Sequence, residues 1–281
     1  MDIKDKIEEK YRNLCEVKPG TTKEEYEKNQ AEYFELISKL SKKERKAIMF
    51  EIIEKLAQKK EEEQKNLVYT EQNARCSEIL EMIDDILSKG AFDIKENESK
   101  VVRREYSKGG ECIYRGYYCP SKIEDIVVGN VKRGRLLKRV KGSNPTYCYG
   151  FDENDRIISA KKICTDEYEF IYYKGNEQIG VNFRRDAMSI AISKFENDKI
   201  ISYELFHYDG YNKTIWEYQK EIYQYSDERM LVIWEFYNKF SDGIFFERTT
   251  YDFAVKDGFL SNYLADGVRE YKVDPKIKRE V

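Results

Sequence analysis

Two hydrophobic spacings divide this chain. Up to about residue 95, apolar residues recur at helical spacing; from about residue 100 they alternate, as on strands. Ile3, Ile7, Tyr11 and Leu14 share one face of a helix over 2–15, which Lys18, Pro19 and Gly20 end. Thr22 with Glu25 makes a capping box, opening a helix with Tyr26, Tyr33, Phe34, Ile37 and Leu40. Ser41 with Glu44 makes a second. The helix behind it turns Ile48, Met49, Ile52, Ile53 and Leu56 inward and is expected to fray over the charged run 59–65. A fourth helix is expected from Thr70, burying Ile79, Leu80, Ile83, Ile86 and Leu87 and ending at Gly90.

The β half is organised around two hairpins in residues 168–206. Gly175 and Asn176 suit a two-residue turn with positive φ. That turn pairs Tyr168 with Phe183, Phe170 with Val181 and Tyr172 with Ile179 on one buried face. Glu169 then lies opposite Asn182, and Tyr173 opposite Gln178, on the other. Asn197 and Asp198 make the second turn, expected to pair Lys194 with Ile201, Ile192 with Tyr203 and Ile190 with Leu205. Ala191, Ser193, Ser202 and Glu204 would share the outer face. A third hairpin around Asp227 and Glu228 pairs Lys220 with Glu235. Upstream, Val101–Tyr106 and Cys112–Tyr118 flank Ser107, Lys108, Gly109 and Gly110, a further hairpin signal. Residues 135–140 read as one more strand. From Thr146 to Tyr271 the chain reads as one antiparallel meander.

The expected fold class is therefore α+β, an N-terminal helical bundle over 1–95 followed by a long antiparallel β-meander over 96–281. The hairpins also repeat. Phe151-Asp-Glu-Asn-Asp-Arg-Ile-Ile-Ser159 echoes Phe195-Glu-Asn-Asp-Lys-Ile-Ile-Ser202. Tyr173-Lys-Gly-Asn-Glu-Gln-Ile179 and Tyr225-Ser-Asp-Glu-Arg-Met230 fall in the same frame. This pattern of aromatic, acidic turn, basic residue and aliphatic pair, over residues 147–253, resembles the YD-repeat hairpins of Rhs-type bacterial proteins. Asp155 or Asp198 stands where that family keeps a glycine. The resemblance implies by analogy an immunity protein of a bacterial polymorphic toxin system, and it assigns no residue a role.

Composition narrows the chemistry. The net charge of −3 leaves no global field for nucleic acid or anionic membrane. No stretch approaches a membrane span, and the acidic start lacks the features of a signal peptide. With no export signal, the six cysteines read as reduced thiols, and the protein as cytoplasmic. Cys112 and Cys119 lie too far apart for a zinc knuckle, so both read as thiols on strands. His207 is the only histidine, which excludes sites needing two. It is expected opposite Met188, with no nucleophile or carboxylate to serve. No phosphate loop, nucleophile elbow or dinucleotide fingerprint occurs. No enzyme activity, cofactor or metal is expected.

Two binding surfaces remain. Glu169, Tyr173, Glu204, Tyr208, Tyr211 and Trp216 would form an acidic, aromatic-rich sheet face that occludes a basic toxin. The alternative is a nucleic-acid or anion site at Lys132, Arg133, Arg135, Lys138, Arg139 and Lys141. The same run also suits an ordinary sheet edge, which basic residues keep from aggregating.

Overall fold

The computed structural model describes residues 3–15, 23–88, 94–111, 113–128, 131–142, 144–165, 167–184, 187–240, 243–274 and 279–281. The protein is mixed helix and sheet. It divides into two compact units, Met1–Arg75 and Cys76–Val281.

The first unit holds α1 (Ile3–Cys15), α2 (Lys23–Ser38) and the beginning of α3 (Lys42–Ser88). Ile7, Tyr33 and Ile52, one from each helix, form its buried centre. Phe34 stays exposed, edge-on to Tyr33. The box at the start of α3 is present: the Glu44 amide donates to Ser41 Oγ (3.3 Å) and the Ser41 amide to the Glu44 carboxylate (2.9 Å). The Thr22 box, the 18–20 break and the Gly90 stop lie outside the described residues, as do the side chains of Tyr26, Met49, Ile53 and Leu56. One expectation fails. Residues 42–88 form a single helix with no break near 59–70. No proline or glycine interrupts this span, and the Lys, Glu and Gln of 59–65 are strong helix formers that need no core to hold them.

The second unit begins with the last turns of α3 and α4 (Ile94–Ser99). Its strands are β1 (Arg103–Lys108), β2 (Arg135–Leu136), β3 (Tyr147–Phe151), β4 (Ile157–Lys162), β5 (Glu167–Lys174) and β6 (Glu177–Arg184). There follow β7 (Ala187–Glu196), β8 (Lys199–Asp209), β9 (Thr214–Tyr225), β10 (Arg229–Phe240), β11 (Gly243–Lys256), β12 (Phe259–Ala265) and β13 (Arg269–Lys272). All belong to one antiparallel sheet in which β3 to β13 are neighbours in chain order, and β1 lies between β3 and β2. Of the expected partner of β1 at 112–118, the described residues 113–118 are not a strand. Gly109 and Gly110 are both left-handed and carry the chain out of the ladder. The described residues of the 109–134 segment then run over one sheet face, with a 3-10 turn (Gly116–Tyr118) and α5 (Glu124–Val127). Of the strand expected at 135–140, only β2 forms.

The registers of the first and third hairpins are as expected, including Phe170 with Val181 and Lys220 with Glu235. The second is shifted. Asn197 and Asp198 do form the turn, both at positive φ. A bulge beyond it leaves Ile201 without a partner, so Lys194 pairs with Ser202, Ile192 with Glu204 and Ile190 with Phe206.

The slip is affordable because both sheet faces are covered. On one face, Cys76, Ile79 and Ile83 of α3 pack on Val181, Met188, Ile190, Ile192, Phe206 and Tyr218. Leu87, expected with them, is exposed. On the other, Ile123, Ile126, Val127 and Tyr114 of the 109–134 segment pack on Ala191, Tyr203, Leu205 and Tyr223. Either parity of β8 therefore buries large side chains, and the one-face rule cannot choose between them.

Candidate functional site

The segment 109–134 caps the second face, and its sequence explains how it is held. Arg115 (φ +58) and Gly116 (φ +57) are both left-handed, a conformation that is costly for arginine and turns its side chain inward. Ser121 accepts hydrogen bonds from the Ile123 and Glu124 amides at the start of α5 and donates to buried Glu221 on β9 (2.9 Å). The Lys122 amide donates to Tyr223 Oη (2.9 Å). Arg133 spans the segment: its guanidinium donates to the carbonyls of Tyr117, Cys119 and Ser121 and approaches Asp125 (3.4 Å), which also pairs with Arg279. The Cys119 thiol donates to Glu124 (3.0 Å), and burial pushes its pKa well up, so it stays protonated.

Beneath the cap, Arg115 forms a buried ion pair with Glu169 of β5 (Nε to Oε1, 2.8 Å) and donates to Gln178 of β6 (2.8 Å). Both charged side chains are 2% exposed. Gly180 makes room for the pair: a methyl there would overlap the Glu169 carboxylate and the Arg115 guanidinium. Gly180→Ala is expected to cost about 1–3 kcal/mol by overpacking, read from urea unfolding. A variant as stable as the wild type would mean that the pair is not seated there.

Next to the ion pair lies a cavity of about 320 Å³ between cap and sheet. Its roof is Glu111, Ile113, Tyr114, Arg115 and Glu124; its floor includes Lys162, Glu167, Glu169, Asn182, His207, Glu217 and Gln219. Five carboxylates face two cations, and one of those cations, Arg115, is committed to Glu169. Burial raises the pKa of both Glu124 and Glu217. Deeper under the cap, burial pushes Glu221 up to about 7.

One polar row crosses the floor. Asn182, Ser189, His207, Glu217 and Asn238 are register partners on β6 to β10 and share a face. Ser189 Oγ lies 2.7 Å from His207 Nδ1, and Glu217 Oε1 lies 3.4 Å from His207 Nε2. Asn238 Nδ2 donates to the other Glu217 oxygen (3.2 Å). Burial pulls the His207 pKa down to about 4, so the imidazole is neutral at pH 7. Beside it, Trp216 is the extra residue of a bulge between β8 and β9, its ring 5.4 Å from that of His207.

These positions revise the expected sites. Glu169 and Glu204 do not point to solvent; they are 2% and 5% exposed. Glu169 lies under the cap, and Glu204 lies on the opposite face, accepting from Tyr218 Oη (2.7 Å). The bulge at Ile201 moved Glu204 from the face it was expected to share with Ser193. Tyr208 is buried in the α3-side core, and Tyr173 is half-buried, donating to the Ile157 carbonyl (2.9 Å). Of the six, only Tyr211 (90% exposed) and Trp216 (39%) remain on the surface. In the basic cluster, Arg133 is inside the cap, bonded to backbone carbonyls, while Lys132, Arg135, Lys138, Arg139 and Lys141 are exposed. His207 faces Ser189, not Met188.

The sequence reading missed Arg115, Ser189 and the cavity. Their one signal was the Arg-Gly step at 115–116, in a stretch read as strand. Cys112 lies outside the described residues, and Cys119 is on the cap, not on a strand. Among the described residues, no group of three or more His, Cys, Asp or Glu side chains could hold a metal ion, and no helix is long and apolar enough to cross a membrane. No family model matches the chain, and neither a curated protein nor a solved structure matches it.

Proposed function

We propose that this chain is a binding protein for cationic groups, and in its most specific form a bacterial immunity protein that neutralises a basic toxin in the cytoplasm. The YD-like hairpins and the helical region before them support that form by analogy. The acid-lined cavity is the observation that carries the reading. At about 320 Å³ it is at the small end of ligand sites, with room for a lysine or arginine side chain. Its five carboxylates outnumber its two cations, Lys162 and the Arg115 that is paired with Glu169. Desolvation already disfavours charge on Glu124 and Glu217, so an entering cation relieves a cost that the empty site bears. Trp216 offers an exposed aromatic face beside His207 at which a cation is also favoured.

The earlier mechanism, occlusion by an open acidic face, is replaced by insertion of a partner's basic side chain beneath the cap. Titration calorimetry with an arginine- and lysine-rich peptide tests this. Binding is expected at low salt and should weaken as salt rises. The double variant Glu124→Gln/Glu217→Gln should raise Kd by about tenfold or more, the equivalent of about 1.4 kcal/mol. A glutamate-rich peptide should not bind. Equal affinity of wild type and double variant for the basic peptide, or no binding to it, would overturn the reading.

A further inference from the structure

We propose that Ser189 is a nucleophile, with His207 as its base, that cleaves small esters carrying a positive charge. This goes beyond the binding reading. Only the charge of the substrate rests on that reading; the nucleophile rests on the polar row.

The row has the parts that serine-based acyl transfer needs, in the needed order. The serine hydroxyl is within hydrogen-bond reach of one imidazole nitrogen, at 2.7 Å. The other nitrogen faces a carboxylate, Glu217, which Asn238 holds from behind. With the ring proton on Nε2, 3.4 Å from Glu217, Nδ1 is free to accept from Ser189, the role a base plays in such triads. On the other side of Ser189, its register partner Asn182 lines the cavity. Among the described residues the Asn182 side-chain amide has no hydrogen-bond partner, so it is available to an oxyanion. Asn182 and His207, on either side of Ser189 and on the same face, both border the cavity, and Ser189 is only half-buried.

The chemistry balances with an ester and water alone. Ser189 Oγ bonds to the acyl carbon, the carbonyl electron pair moves onto its oxygen beside Asn182 Nδ2, and the hydroxyl proton passes to His207 Nδ1. The bond to the leaving alcohol then breaks, and the alcohol takes that proton. Water attacks the acyl-serine by the same path, releasing the acid and restoring Ser189. The cavity's excess of carboxylates selects a cationic alcohol or acyl part.

The full chain is treated with a fluorophosphonate probe, and hydrolysis is followed with p-nitrophenyl acetate and a thiocholine ester. A single adduct mapping to Ser189 is expected in the wild type. Ser189→Ala and His207→Gln should lose both adduct and turnover by about 100-fold or more. Ser189→Ala should keep the wild-type melting temperature, which separates lost chemistry from lost fold. Labelling of the wild type by the uncharged probe isolates the nucleophile from the cationic reading, and Glu124→Gln should reduce the preference for the thiocholine ester. A folded wild type that is not labelled at Ser189, or that is labelled equally in His207→Gln, overturns the proposal: the row is then a structural polar ladder. Labelling with no preference for the cationic ester overturns the substrate class.

Discussion

Arg115→Met is expected to destabilise the protein by about 3–5 kcal/mol, because it leaves the Glu169 carboxylate buried without its partner. The two side chains are each 2% exposed, so water cannot replace the lost cation. Glu169→Leu should cost a similar amount by stranding the guanidinium. The double change Arg115→Met/Glu169→Leu should recover most of the loss, since two apolar groups of similar volume avoid the desolvation that the ion pair bears. The coupling is read from a double-mutant cycle in urea. Charge reversal at Glu169, harmless if that residue lay on an open sheet face, should instead displace the cap. If Arg115→Met unfolds within about 0.5 kcal/mol of the wild type, as an exposed substitution would, then the cap is not seated on the sheet as described. The cavity and its proposed ligand would fall with it.

The second large effect is a pH dependence located at Glu221. This carboxylate is fully buried and accepts hydrogen bonds from Ser121 (2.9 Å), Gln219 (2.9 Å) and Tyr223. Burial raises its pKa to about 7 from 4.5. Between those values the folded state binds the proton more tightly than the unfolded chain, so stability falls as pH rises through that window. The loss approaches about 3 kcal/mol once the pH is above 7, at about 1.4 kcal/mol per unit. His207 works in the opposite sense. Its folded pKa of about 4 lies below the ordinary 6.5, so its contribution is lost as pH falls from 6.5 towards 4. Wild-type stability should therefore be flattest near pH 5–6, where the two trends oppose each other. Glu221→Gln removes only the first trend. It should match the wild type at pH 5 within about 1 kcal/mol and exceed it at pH 8 by up to about 3 kcal/mol, less any loss from a mismatched amide hydrogen. Melting curves from pH 4 to 9 for both proteins test this. A variant offset from the wild type by the same amount at every pH would show that Glu221 does not retain its proton on folding.

The proposed binding and ester-cleavage roles meet at Glu217, which lines the cavity and faces His207. A cation held by the carboxylates would sit beside the Ser189–His207 pair. A protein partner inserting a lysine or arginine would therefore compete with a cationic ester. Competition by the basic peptide in the esterase assay should be visible if both roles are present.

Much of the β half was legible in the sequence by itself. Alternation of apolar residues and the turn residues at 175–176 and 197–198 determined an antiparallel meander and the register of its first hairpin. Those signals are local: a turn fixes which residues are opposite, and side-chain alternation fixes which share a face. Likewise the Ser41–Glu44 box marked the start of α3 within one turn of chain. The end of that helix was not legible, because a charged run of good helix formers looks the same whether it frays or continues.

Only the tertiary structure decided what covers each sheet face. The alternation of Glu169, Tyr173, Ser193 and Glu204 with large apolar residues read as a buried and a solvated face. That inference holds only if one face meets water. Here α3 covers one face and the 109–134 cap the other, so a polar residue at an alternate position is as buried as its neighbour. The same fact leaves room for the bulge at Ile201, and it is this single residue that sets His207 against Ser189. The cap was invisible because its contacts are long-range: Ser121 meets Glu221 across 100 residues, and Arg115 meets Glu169 across 54. No local pattern specifies such pairs, since their stability comes from burying charge and hydrogen-bonding groups together, and that environment exists only once the chain has folded.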